Sequence, residues 1–240
     1  MFHVEQWGEK ECDSMPVYHA PLLQIDPKET RRYAGLMKAK DFDEQMILDA
    51  CEDGLLLAEP RGIWTLYDYD CKSQTVAAEP PFHIEGEKIG AHLAGCDKVI
   101  LLSATVGEAI EDEVTARFQR GEYASSVLLD AAATTAVEQI ADGMEKAIAP
   151  QMARAGYGMR WRFSPGYGDW PLGQQPEMIR TCRAKEIGVG LSDSLMLVPR
   201  KSITAIIGLY KVEAGKKEHA TAKGCAACTK VDCPSRVVKN

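Results

Sequence analysis

The chain has no apolar run approaching the ~20 residues of a membrane-spanning helix. Its first residues, MFHVEQWGEKEC, hold acidic side chains where a secretory leader holds an apolar core. The two absences lead to the expectation of a cytoplasmic protein with no membrane association. A basic stripe is missing as well. Lysine and arginine number 28 against 35 aspartates and glutamates, a formal charge of −7, so a nucleic-acid backbone is repelled on average. There is no G-x-G-x-x-G after a strand, no G-x-x-x-x-G-K-[ST] loop and no G-x-S-x-G elbow. Their absence excludes the dinucleotide-binding fold, the nucleotide fold of common methyltransferases, phosphate-loop chemistry and the usual serine hydrolase. The five histidines, His3, His19, His83, His92 and His219, are dispersed and form no H-E-x-x-H pair. No internal repeat is visible.

What is present is the balance of an ordinary globular chain. Hydrophobic residues make up 45% and charged residues 26% of 240, enough apolar material for a sizeable core. IDPKE (25–29) opens a helix: Asp26 caps, Pro27 suits the first helical position, and Glu29 completes a capping box. A second helix spans roughly 43–58, with Ile47, Cys51 and Leu55 at four-residue spacing. IWTLYDY (63–69) reads as a strand and QTVAA (74–78) as its hairpin partner. KIGAHLAG (88–95) is a short helix closed by Gly95, and KVILLS (98–103) a buried strand. Thr105 and Glu108 form a second capping box by their spacing, ahead of Val106, Ile110, Val114 and Phe118. GMRWRF (158–163) is a strand, a helix covers about 176–186, and LMLV (195–198) with SITAIIGLY (202–210) makes a second hairpin.

The strongest helix signal is 127–148, where Val137, Ala141, Met144 and Ile148 share one face. Asp130 falls on that face and Glu138 at its border. A carboxylate in an apolar stripe must be paired, capped or bound. For Asp130 the helix dipole is a sufficient alternative, because it lies near the expected helix start. Glu138, in mid-helix, has no such benefit.

Chemistry concentrates in RFSPGYGDWP (162–171). Gly166 and Gly168 let the backbone approach a ligand closely or adopt positive φ, and Pro165 stiffens the entry. Tyr167 offers a hydroxyl between them. Arg162 ends a strand and presents a planar fork suited to a carboxylate. With Glu138 supplying a negative charge, the set complements an amino-acid-like ligand. The plain alternative is that the Pro-Gly-Tyr-Gly segment is only a turn.

R-x-x-P-G-Y at a strand exit, then L-x-D-S-x-x-x-x-P (191–199) running into SITAIIG (202–208), resembles the activation domain of cobalamin-dependent methionine synthase. The likeness is greatest to short, stand-alone members with S-P-G-Y-G-D-x-P and a C-x-x-C-x-x-x-x-C tail. It covers roughly 95–236. The resemblance implies S-adenosylmethionine binding, with Arg162 on the methionine carboxylate, Ser164 and Gly166 in backbone contact, and Tyr167 towards the cobalt. Glu138 would attract the sulfonium or amino group. It further implies reductive methylation of cobalamin held by a partner, either a cobalamin-binding protein or a methionine synthase lacking its own activation domain. Flavodoxin or ferredoxin would be the reductant. His92 lacks the aspartate of D-x-H-x-x-G, by which carrier domains ligate cobalt, so this chain is not expected to hold cobalamin itself. Two departures stand out: the acidic residue near the start of the longer domains has no counterpart, and LVPRKS (197–202) replaces their Trp-Pro-Gly segment.

Cys12, Cys51, Cys71, Cys96 and Cys182 are scattered and read as small buried hydrophobes. Cys225, Cys228 and Cys233 have the spacing of ligands to zinc or an iron–sulfur cluster, completed by Cys182, His219 or an exogenous group. A tail of surface thiols is the alternative. The expected fold is α+β, a mostly antiparallel twisted sheet flanked by long helices with a small amino-terminal helical and hairpin lobe. The expected division is 1–85 for that lobe, 86–212 for the S-adenosylmethionine-binding core and 213–240 for the cysteine-containing tail. Besides methyl donation, two functions fit the residues: a non-catalytic binding module for S-adenosylmethionine or a corrinoid protein, and an iron–sulfur electron-transfer partner.

Overall fold

A computed structural model describes residues 17–19 and 21–212. It begins with two short helices, α1 (Pro27–Tyr33) and α2 (Glu44–Leu57). Asp26 caps α1 by accepting from the amides of Lys28 and Glu29, and Asp43 caps α2 through Gln45. The carboxylate of Glu29 turns to Arg32, at 2.8 Å, rather than back to the cap. Strand β1 (Arg61–Asp70) follows, then β2 (Thr75–Val76), β3 (Phe82–His83), α3 (Glu87–His92) and β4 (Lys98–Thr105). Next come α4 (Ala109–Gln119), the long α5 (Tyr123–Arg154), β5 (Tyr157–Met159) and α6 (Gln175–Thr181). The described residues close with β6 (Gly190–Leu191), β7 (Leu197–Val198) and β8 (Ser202–Lys211).

Six strands make one antiparallel sheet in the order β3-β2-β1-β4-β8-β5. β4 is central because its side chains are apolar on both faces. Ile100, Leu102 and Ala104 turn to the layer of α1, α2, α4 and α5, while Val99 and Leu101 turn to α3 and α6. β1 pairs with β4 from Arg61–Thr105 to Asp68–Lys98, so strands from before and after residue 85 share this sheet. The mixed helix and antiparallel-sheet architecture agrees with the expected α+β class. No helix of the described residues is long and apolar enough to cross a membrane.

Several local expectations are corrected. Thr105 does not cap α4: it ends β4, its hydroxyl accepts from Gly107 N at 3.1 Å, and the helix starts at Ala109 without a side-chain cap. The strand pairing of Thr105 with Ser202 outweighs the local capping pattern. The expected helix over 176–186 stops at Thr181, because Arg183 takes a left-handed conformation (φ 59°) before a 3-10 turn at Ala184–Ile187. LMLV and SITAIIGLY do not form a hairpin. β7 pairs with β6, and β8 pairs instead with β4 and β5, where its apolar side chains are buried on both faces. The 191–199 segment singled out by the family pattern therefore holds all of the β6–β7 hairpin except Gly190. Among the scattered cysteines, Cys51, Cys96 and Cys182 are buried as expected, but Cys71 is exposed in the turn after β1.

Leu101→Ala, at a fully buried position of β4, should cost about 2–5 kcal/mol, the range for emptying a core site. Leu56→Ala, on the exposed side of α2, should change stability by no more than about 0.5 kcal/mol. Urea denaturation of the two variants checks the contrast.

Candidate functional site

The site residues gather where β5 leaves the sheet. Met159 sits opposite Leu209, and the next pairing is Phe163 with Ile206. Four steps on the edge strand thus match three on β8, leaving one extra residue in a β-bulge. Met159 packs with the α5 layer, so strict alternation would put Trp161 and Phe163 on that same face and Arg162 on the other. Instead Arg160 lies over the Tyr210 ring, Trp161 packs at a tilt against His92 of α3, and Phe163 joins the α3–α6 layer. Arg162 is turned to the opposite side, onto α5.

There it meets three carboxylates. Arg162 Nη2 donates to Glu138 Oε2 at 2.6 Å, and Nη1 donates to Asp142 Oδ1 at 2.6 Å and to Glu145. Spacings of four and seven residues put all three acids on one stripe of α5. Burial works against the guanidinium charge, but the hydrogen bonds it donates to Asp142 and Glu145 and the fields of Glu145 and Glu138 outweigh it, so its pKa is raised. Side-chain exposure falls from 56% for Asp142 to 15% for Glu145. Asp142 is therefore the partner most open to solvent. Glu138 emerges as a direct partner of Arg162, whereas the sequence had suggested them for opposite ends of one ligand. Asp142 and Glu145 were missed, although their spacing from Glu138 was readable.

Asp130 is paired, with Lys201 Nζ at 2.9 Å, and the same ammonium donates to Thr134. The dipole explanation fails because α5 begins seven residues earlier, at Tyr123. Lys201 is held in turn by Glu111, which accepts from its backbone amide at 2.7 Å.

The loop that carries Tyr167 is closed on itself. Gly166 N donates to Trp170 O, Trp170 N to Tyr167 O, and Tyr167 N to Ser164 O. Gly166 and Gly168 have φ of 90° and 61°, as the sequence required of one or both. A side chain at 168 would also press on the Phe163 ring, 3.2 Å from its Cβ. Tyr167 itself projects outward, 69% exposed. Trp170 is buried beneath the loop, and its indole N–H donates to Gln174 Oε1 at 2.6 Å. Gln174 then donates to His83 O and accepts from Glu85 N, tying the loop to β3.

Asp169 accepts from the amides of Glu87 and Lys88 at the start of α3. These bonds lower its carboxyl pKa. His92 Nε2 lies 2.8 Å from the carbonyl oxygen of Trp161. A carbonyl only accepts, so the neutral ring carries its proton on Nε2. The sequence reading passed over Asp169 and assigned His92 no role here, since neither bond has a local sequence signal.

Cys225, Cys228, Cys233 and His219 lie outside the described residues. Cys182 is buried among the side chains of α6 and the sheet, and burial pushes its thiol up to about 12. That is the condition of a small apolar side chain, not of a thiolate ligand. Among the described residues, no group of His, Cys, Asp and Glu is arranged to hold a metal.

Burial, followed by the charge of Arg160, opposes protonation of His92 and lowers its pKa from 6.5, while the bond to Trp161 acts the other way. The folded state thus favours the neutral ring. Its contribution to stability is complete above about pH 6.5 and is lost as pH falls through the lowered value. Thermal melts from pH 7.5 to 5.5 should show a steeper decline for the wild type than for His92→Gln.

No protein-family model and no curated protein sequence matches the chain. Among solved structures, it is similar to the crystal structure of the MetH reactivation domain bound to AdoHcy, at a TM-score of 0.57 and 14% identity. The similarity covers 86% of this chain and 81% of that one. At this identity the likeness establishes a shared fold.

Proposed function

We propose that the chain binds S-adenosylmethionine against the 162–168 segment and α5, and delivers its methyl group to reduced cobalamin on a partner protein. One observation carries the proposal. On a fold like that of a reactivation domain crystallised with AdoHcy, the R-x-x-P-G-Y segment and a stripe of α5 carboxylates meet at one sheet edge. Three carboxylates around one guanidinium leave a surplus of two negative charges. That surplus suits a ligand bearing a sulfonium and an ammonium group.

In this reading Arg162 takes the ligand carboxylate by releasing Asp142, its most exposed partner. Glu138 and Glu145 stay to face the cationic groups. The Gly166 amide is committed to Trp170 O, so backbone contact with the ligand would fall to the carbonyl groups of Ser164 and Gly166. Tyr167, exposed at the loop tip, faces the incoming partner. Reduced cobalamin supplies the electron pair that takes the methyl, and the sulfur keeps the pair of the broken C–S bond, leaving S-adenosylhomocysteine. The chain's contribution is to orient the sulfonium and exclude water, which needs no general acid or base. Flavodoxin or ferredoxin would return oxidised cobalamin to the reactive state. The tail cysteines Cys225, Cys228 and Cys233, outside the described residues, would serve as ligands to zinc or an iron–sulfur cluster. Visible absorption and metal analysis of anaerobically purified protein distinguish those two and the metal-free alternative.

Isothermal titration of the wild type with S-adenosylmethionine should show binding, and its absence would end the proposal. Arg162→Ala should weaken binding by about 2–4 kcal/mol, the range for removing one partner of a desolvated charge pair. Incubation with a cobalamin protein and a reductant should yield methylcobalamin. Binding without that product would leave a binding module in place of a methyl donor.

A further inference from the structure

The segment that carries Arg162 and Tyr167 is fastened at both ends to one short helix. At its start, His92 near the carboxyl end of α3 donates to Trp161 O at 2.8 Å, with the two rings 4.3 Å apart. At its finish, Asp169 accepts from Glu87 N at 2.9 Å and Lys88 N at 3.0 Å, the first amides of α3. Between these points Gly168 rests on α3, where an added Cβ would lie 3.5 Å from Lys88 Cδ.

The dimensions give this arrangement its force. A six-residue helix is about 9 Å long, whereas the eight steps from Trp161 to Asp169 span up to about 26 Å when extended. Anchoring both ends to α3 therefore folds the intervening chain into a projecting loop. The first anchor lies on the bulge that turns Arg162 towards α5, and the second lies two residues after Tyr167. α3 is itself secured to the sheet by Ile89 and Leu93, both fully buried.

We infer that α3 is a clasp for the ligand-binding segment, with His92 and Asp169 as positioning residues that set where Arg162 and Tyr167 stand. The clasp is a property of the fold. Its bearing on S-adenosylmethionine rests on the function proposed above. Neither residue touches the ligand in this scheme. His92 acts through Trp161 on the bulge, and Asp169 acts through the amides of α3 on the loop tip. A side chain that keeps a donor at position 92 should preserve the first anchor, and one that keeps only the ring should not.

The test uses the full chain with His92→Phe, His92→Gln and Asp169→Ala, read by amide hydrogen exchange and by titration with S-adenosylmethionine. The amide of Phe163, bonded to Ile206 O, should exchange about five- to tenfold faster in His92→Phe, as loss of one hydrogen bond from a local opening unit implies. His92→Gln should restore wild-type protection. In Asp169→Ala the Gly166 amide should lose protection, while the amides of Ile100 and Leu102 in β4 stay protected in all three and report an intact fold. Ligand affinity should fall in His92→Phe and Asp169→Ala and recover in His92→Gln. Unchanged exchange at both Phe163 and Gly166 would overturn the clasp. Faster exchange with unchanged affinity would overturn the positioning role. Should the wild type bind no S-adenosylmethionine, the proposed function would fall while the exchange data still judged the clasp.

Discussion

Along the outer edge of β8, hydrogen bonds fix Met159 opposite Leu209 and Phe163 opposite Ile206. The chain must fit three intervening residues where β8 has two. Strand side chains alternate faces with a period of two, so a single extra residue exchanges the faces of everything beyond it. Here the exchange sends Arg162 to α5 and keeps Phe163 on the α3–α6 layer. The ion cluster with Glu138, Asp142 and Glu145, the packing of Trp161 against His92 and the course of the loop all follow from that slip.

The two faces of the sheet then divide the labour. α5 supplies charge, in a stripe running from Asp130 to Glu145 that holds Lys201 at one end and Arg162 at the other. The opposite face supplies rigidity, through α3, Trp170 and Gln174. A ligand bound at this edge would meet a preset electrostatic field from one side and a fastened backbone loop from the other. Preorganisation of this kind lowers the cost of ordering groups at the moment of binding.

Much of the fold was legible because its signals are local. Asp26 caps α1 as short-range chemistry demands, and the apolar run around Leu101 could only be a buried strand. Val137, Ala141, Met144 and Ile148 point inward as their spacing requires. The failures share one cause. Thr105 was decided by its distant partner Ser202, and β7 was left to β6 because β4 and β5 take both edges of β8, which a local pattern does not contain. The site was half legible: the loop glycines, Arg162 and Glu138 announced themselves, while Asp142 and Glu145 were not singled out.

The sequence by itself determined which residues could carry charge, which could bend the backbone and which had to be buried. Glycines at 166 and 168, arginine at 162 and acids along α5 are chemical facts that no folding alters. Only the tertiary structure decided that Arg162 spends its fork on those acids, that Asp130 belongs to Lys201, and that His92 and Asp169 grip the loop from one helix. Each of these contacts joins residues 17 or more positions apart. A hydrogen bond over such a separation depends on the register of the sheet and the packing of helices, and these exist only once the whole chain has folded.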